Sequence, residues 1–103
     1  MKYEIILSPG AVRDFRALSA FERGQVRAAM ERHLRHEPTR LSRSRIKRLR
    51  GLRRPRYRLR IGDIRVFYDV FDDQVQVLTI LTKAHVDTWL KEKGAPNEEG
   101  RSR

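Results

Sequence analysis

YRLRIGDIRVFYDVFDDQVQVLTILT, residues 57–82, decides the fold. In Tyr57-Arg58-Leu59-Arg60-Ile61, apolar and charged residues alternate strictly, the pattern of a strand with one buried face and one wet face. Gly62-Asp63 reads as a two-residue turn in which Gly supplies the positive φ of a type II′ hairpin. Ile64 to Phe71 is the returning strand, Asp72-Asp73 a second turn, and Gln74 to Thr82 the last strand. The face opposite the arginines carries Leu59, Ile61, Val66, Tyr68 and Val70, which read as core.

Working outward, Tyr3-Glu4-Ile5-Ile6-Leu7 is a short first strand. The first residues, MKYEIILSPG, read as this strand and not as a leader. Ser8-Pro9 gives an N-cap followed by Pro at the first helical position, and Val12, Phe15 and Leu18 form an apolar stripe at helical spacing. Ser19-Ala20-Phe21-Glu22 is a capping-box pattern that restarts a helix through Val26, Met30 and Leu34, which stops before Pro38. Ala84 to Lys93 reads as a short terminal helix. The expectation is one α+β domain over residues 1–93, ordered β-α-α-β-β-β(-α), with an antiparallel twisted sheet and a helical hairpin on one face. Residues 94–103, GAPNEEGRSR, offer no apolar anchor and are expected to form a disordered tail.

The charge is concentrated between these parts. Of a formal net charge of +11, the surplus lies in residues 40–65, RLSRSRIKRLRGLRRPRYRLRIGDIR, where twelve Arg or Lys stand against the single acid Asp63. Such a block points to a polyanionic partner, with nucleic acid ahead of a membrane surface. The plainer alternative is a solubilising face, which charges of mixed sign would serve as well. The two-residue turn sets Arg60 directly opposite Arg65, with Arg58 on the same face. Like charges in that position destabilise a sheet, and an anion between the guanidiniums removes the cost. Arg is the side chain suited to bidentate phosphate contact. The arginines could instead splay into water or pair with Asp63 or Asp69.

Other chemistries find little support. There are no cysteines, which removes disulfides and thiolate metal sites. No long apolar run supports a membrane span, and the acids and histidines show no metal-ligand spacing. Neither a Gly-rich phosphate loop nor a Ser or Cys triad is present. Asp63, Asp69, Asp72 and Asp73 fall at or near turns, where Asp is expected. His33 and His36, near the end of the second helix, read as solvated. No cofactor and no metal are expected, and a cytoplasmic location is the simplest reading.

The run LRGLRRPRYRLRIGDIRVFYDVFDDQVQVLTIL, residues 49–81, resembles the RelE/ParE superfamily of bacterial toxin–antitoxin toxins. Its members share a basic step ending in Gly, a basic strand, an Arg-Val-x-Tyr strand and an apolar last strand. The likeness extends from residue 3 to about residue 90, and the short helical pair is closer to the RelE branch. It implies a small microbial-RNase-like fold, a cognate antitoxin bound as a heterodimer or heterotetramer, and messenger RNA cut on the ribosome, with 16S rRNA contacts. The ParE branch instead implies gyrase poisoning without nuclease activity. A plain RNA-binding module is a third reading.

By the same resemblance, Arg58 and Arg60 fall on basic strand positions, and Arg65 on the arginine that contacts the scissile phosphate. Lys83 falls on a basic residue implicated as general acid. Trp89 takes the place of a tyrosine that stacks on RNA, and His85 lies one turn before it at a position that is often Arg. Lys47, Arg48, Arg50, Arg53, Arg54 and Arg56 complete the expected RNA-binding surface. Arg stays protonated at working pH, so Arg58 and Arg60 supply charge while His85 and Lys83 must move protons. The alternatives are an exposed His85 at a helix start and a Trp89 that packs the terminal helix onto the sheet. Arg65→Ala is expected to abolish growth inhibition with the fold intact.

Overall fold

In the computed structural model, which describes residues 2–96, the chain folds as β1 (Glu4–Leu7), α1 (Pro9–Ala17), α2 (Ala20–Leu34), β2 (Ile46–Arg48), β3 (Leu52–Arg54), β4 (Tyr57–Ile61), β5 (Ile64–Phe71), β6 (Gln74–Thr82), a 3-10 turn (Lys83–His85), α3 (Val86–Lys93) and β7 (Ala95–Pro96). The two helix starts follow their cap chemistry. Ser8 Oγ accepts from Ala11 N–H at 3.1 Å ahead of Pro9. Ser19 and Glu22 close a reciprocal capping box at 3.0 and 3.1 Å.

A five-stranded sheet runs β1-β6-β5-β4-β2. The pairs β6–β5, β5–β4 and β4–β2 are antiparallel, but β1 lies parallel to β6. The sheet is therefore mixed at one edge, because the helical pair carries the chain back across it before β6 is laid down. β1 ends opposite Val77, and α1 covers the edge of β6 beyond that point. Ser8 Oγ donates to the Leu78 carbonyl at 2.9 Å, and Asp14 accepts from Ile80 N–H at 3.0 Å and Thr79 Oγ1 at 2.6 Å. Leu78 is the extra residue of a bulge, since Phe67 pairs with Thr79 and Tyr68 with Val77.

The core lies between the helices and one sheet face. Leu59, Val66, Tyr68, Val75 and Val77 are fully buried there against Val26 and Leu34, with Ile61 and Val70 at the margin. In α1 the fully buried residue is Ala11, while Phe15 and Leu18 pack at the border. The Tyr68 hydroxyl donates to the Pro38 carbonyl at 2.6 Å, fixing the loop after α2, and burial pushes its phenol pKa well up.

Two short strands lie within the basic run. Ile46 enters the core opposite Leu59, and Leu52–Arg54 pairs with Ala95–Pro96. Residues 94–96 of the expected tail are instead structured: Gly94 N–H caps α3 on the Leu90 carbonyl at 3.0 Å, and the next two residues form a strand. Residues 97–103 of that expectation lie outside the described residues.

Gly62 has φ +58°, as the hairpin turn requires, and a Cβ there would meet nothing within 4 Å. The cost of Gly62→Ala is therefore backbone strain alone. A loss of about 1–2 kcal/mol is expected by denaturant titration.

Candidate nucleic-acid interface

The register puts the predicted arginines on one face. Arg60 pairs with Arg65, Arg58 with Phe67, and Lys47 with Arg58 across β2. Arg60 is exposed and Arg58 half-buried, while Arg65 is only 8% exposed. Arg65 Nη1 donates to the Gly62 carbonyl at 2.6 Å and the Ile64 carbonyl at 3.2 Å, so it braces the hairpin that it marks. Arg58 donates to the Ser44 carbonyl at 3.3 Å, and its buried Nε has no partner among the described residues. Burial, then Arg65 and Arg60, hold the Arg58 guanidinium below its ordinary pKa, although it stays charged at any physiological pH. No ion pair among the described residues involves Arg58, Arg60, Arg65 or Lys47. Arg58, Arg60 and Arg65 thus share one sheet face with no carboxylate partner among the described residues, and the alternative of pairing with Asp63 or Asp69 is not seen.

Beside them ends β6. Lys83 N–H donates to the Asp63 carbonyl at 2.7 Å, so the 3-10 turn is tied to the tip of the β4–β5 hairpin. Lys83 and His85 are both exposed. His85 Nδ1 lies 2.8 Å from Thr82 Oγ1, which orients the imidazole. Thr82 was not foreseen, though its spacing of three from His85 within Thr-Lys-Ala-His is readable in the sequence.

Other predicted residues sit elsewhere. The Trp89 ring stacks on Phe67 at 5.7 Å and 14°, which fixes α3 on the arginine-bearing face and takes one face of the indole. The indole thus makes the packing contact that was one of its two sequence readings, and its other ring face is not engaged by Phe67. Arg54 Nε donates to Asp69 at 2.9 Å, and its guanidinium lies 5.7 Å from the Phe71 ring centroid, with the side chain 44% exposed. Arg48, Arg50, Arg53 and Arg56 line an open groove of about 850 Å³ with Leu41, Leu49 and Leu52, beside the β2–β3 connection. They therefore form a second basic surface, apart from Arg58 and Arg60. Lys47 borders that groove as well. Among the described residues no group of three or more His, Cys, Asp or Glu is placed to hold a metal ion, and no helix is long and apolar enough to cross a membrane.

A family described as ParE toxin of type II toxin-antitoxin system, parDE, matches residues 5–86. No curated protein matches the chain. Among solved structures, the RelB-RelE antitoxin-toxin complex from Methanococcus jannaschii aligns at TM-score 0.63 with 18% identity, covering 82% of this chain and 96% of that one. The toxin-antitoxin complex RelBE2 from Mycobacterium tuberculosis aligns at TM-score 0.63 with 24% identity, covering 80% and 99%. The archaeal RelE-RelB complex from Pyrococcus horikoshii aligns at TM-score 0.58 with 20% identity, covering 81% and 97%. At these identities the likeness is one of fold: an α+β domain whose sheet carries two helices on one face.

Proposed function

The chain belongs to the ParE toxin family of type II toxin–antitoxin systems, and from that premise we propose that it blocks translation as a ribosome-dependent, metal-independent messenger-RNA endoribonuclease. The observation that supports this most is the row Lys47–Arg58–Arg60–Arg65, which has no carboxylate partner among the described residues and ends near the Thr82–His85 pair.

In this reaction the RNA 2′-hydroxyl oxygen attacks the adjacent phosphorus, and the bond to the 5′-oxygen breaks. The products are a 2′,3′-cyclic phosphate and a 5′-hydroxyl end. In this reading Arg60 and Arg58 balance the charge that builds on the phosphorane, usually the largest single contribution. His85, its ring oriented by Thr82, is assigned to take the 2′-hydroxyl proton, and Lys83 to supply one to the leaving oxygen. With so few proton carriers, much of the rate would come from substrate held in an in-line geometry, which the ribosome provides.

The proposed protein partner is a cognate antitoxin with an acidic segment that neutralises the same face, in a heterodimer or heterotetramer. The proposed site of action is the cytoplasm. A gyrase-binding toxin is the second reading, favoured by the ParE family match and by the packing role of Trp89.

Induction in cells followed by mapping of message 5′ ends separates the two. Codon-phased cuts in translated messages are expected. Gyrase-linked DNA breaks with intact messages would overturn the nuclease reading.

A further inference from the structure

A separate set of cations sits around the sheet edge from Arg60. Arg32 and His33 in the last turn of α2, Glu37 and Arg40 in the following loop, and Ser42, Arg45 and Ile46 leading into β2 enclose a cleft of about 270 Å³. Among the described residues, Ile46 is its one apolar lining residue. Its one carboxylate, Glu37, accepts from Arg40 through both oxygens at 3.3 Å. Among the described residues, Arg32 and Arg45 have no carboxylate partner. Ser42 Oγ accepts from Arg45 N–H and Ile46 N–H, each at 3.0 Å, which pins the hydroxyl and leaves its own proton available to donate.

Two guanidiniums, an imidazole and a hydroxyl around a hollow of this size suit a tetrahedral oxyanion. An acidic peptide would need apolar anchors that the cleft lacks. The cleft also connects with the candidate site through two adjacent residues. Arg58 donates to the Ser44 carbonyl at 3.3 Å, and Arg60 N–H to the Arg45 carbonyl at 2.8 Å.

We propose that this α2–β2 corner is a second phosphate-binding site, which holds a backbone phosphate of single-stranded RNA whose neighbouring nucleotides lie over Arg58 and Arg60. The identity of the polyanion rests on the reading of the chain as an RNA-directed toxin; the site rests on the cleft. The groups facing His33 are Arg32 from its own helix, Glu37 and Arg40 from the loop, and Arg45 from the β2 entry. Burial, then Arg45 and Arg32, hold the His33 imidazole below its ordinary pKa. A phosphate among these cations offsets their repulsion, so binding draws a proton onto His33 and affinity rises as pH falls through the imidazole range.

The test is fluorescence anisotropy with the full-length chain and a labelled 2′-O-methyl RNA of about a dozen nucleotides, which 2′-hydroxyl attack cannot cut, so the result is independent of nuclease activity. The Arg32→Ala/Arg45→Ala double variant is expected to bind about tenfold more weakly, with a salt slope shallower by about 0.7, the value for one lost phosphate contact on a single strand. His33→Gln is expected to lose the tightening at low pH, and circular dichroism melting reports whether each variant is folded. A folded double variant with parental affinity and salt slope would overturn the proposal. So would a double variant that binds RNA normally but loses an antitoxin peptide, since that would make the corner a protein contact. Arg60→Gln in the same assay reports the candidate site separately. RNA binding that weakens for the corner variant, in a chain that cuts no message in cells, would sink the nuclease reading and leave this one standing.

Discussion

An Arg60→Gln variant is expected to melt at a higher temperature than the parent chain and to lose the ability to arrest growth. Arg60 sits directly across from Arg65, and like charges so placed cost a sheet about 0.2–1 kcal/mol. Solvent screening of the exposed Arg60 trims the gain to about half of the upper figure, or roughly 2–4 °C in a domain of this size. Gln keeps the strand contacts of the side-chain stem and removes the charge. On the activity side, one charge-stabilising donor at a site of developing negative charge is worth about 10²–10³ in rate. Growth after induction, cleavage on programmed ribosomes and a thermal melt together decide the point. Toxicity retained at parental level, or a lower melting temperature, would contradict the idea that Arg60 is held there for an anion.

The opposite signs make this a sharper probe than Arg65. An Arg65→Ala change with the fold intact is what the alternating pattern leads one to expect. In the structure the Arg65 guanidinium bridges the Gly62 and Ile64 carbonyls from a nearly enclosed position. Truncation leaves those acceptors unpaired and a hollow behind, so the hairpin weakens along with any catalytic loss. Arg60 is exposed, and its side chain makes no ion pair among the described residues, so its removal separates function from folding.

This contrast also shows how far the sequence was legible. Strict alternation around Gly62-Asp63 gives the β4–β5 register residue by residue, because a slip of one position would bury Arg58 and Arg60 in the core. The capping box at Ser19 and Glu22 and the stripe Val26, Met30, Leu34 set α2 in the same local way. Register does not report depth, however. Arg60 and Arg65 look equivalent as letters on facing strands, yet one is exposed and the other nearly buried, because β5 lies inside the sheet and β4 is followed only by the short β2. β2 and β3 went unseen because three residues cannot display a period, and their single apolar residues, Ile46 and Leu52, sit among arginines. Parallel pairing of β1 with β6 joins strands some 70 residues apart, and nothing local encodes it. The stacking of Trp89 on Phe67 depends on where α3 lands, a tertiary fact that left both roles of the indole open.

Asp69→Ala is expected to cost about 2–3 kcal/mol, far more than its position near a turn would imply. Its carboxylate is 3% exposed and accepts from Arg54 Nε at 2.9 Å and from Arg56 N–H at 2.7 Å. Through these two bonds β5 holds the segment that leads out of β3 into β4. Truncation strands the Arg56 N–H, while Arg54, at 44% exposure, can turn to water. The cost therefore falls below the 3–5 kcal/mol typical when a partner is removed from a fully buried pair. Arg54 also reaches over Phe71, and its segment pairs with β7 beyond α3. Loosening Arg54 accordingly frees the end of α3, and amide exchange is expected to rise in residues 52–56 and 86–96 ahead of the α2 core. Asp69→Asn keeps an acceptor for Arg56 N–H but gives up the charge, and it is expected to recover about half of the loss in denaturant titration. Equal losses for Ala and Asn would assign the whole effect to the ion pair. A negligible loss for Ala would mean that β3 is held by its other contacts, and that the arginine-bearing face keeps its shape without this anchor.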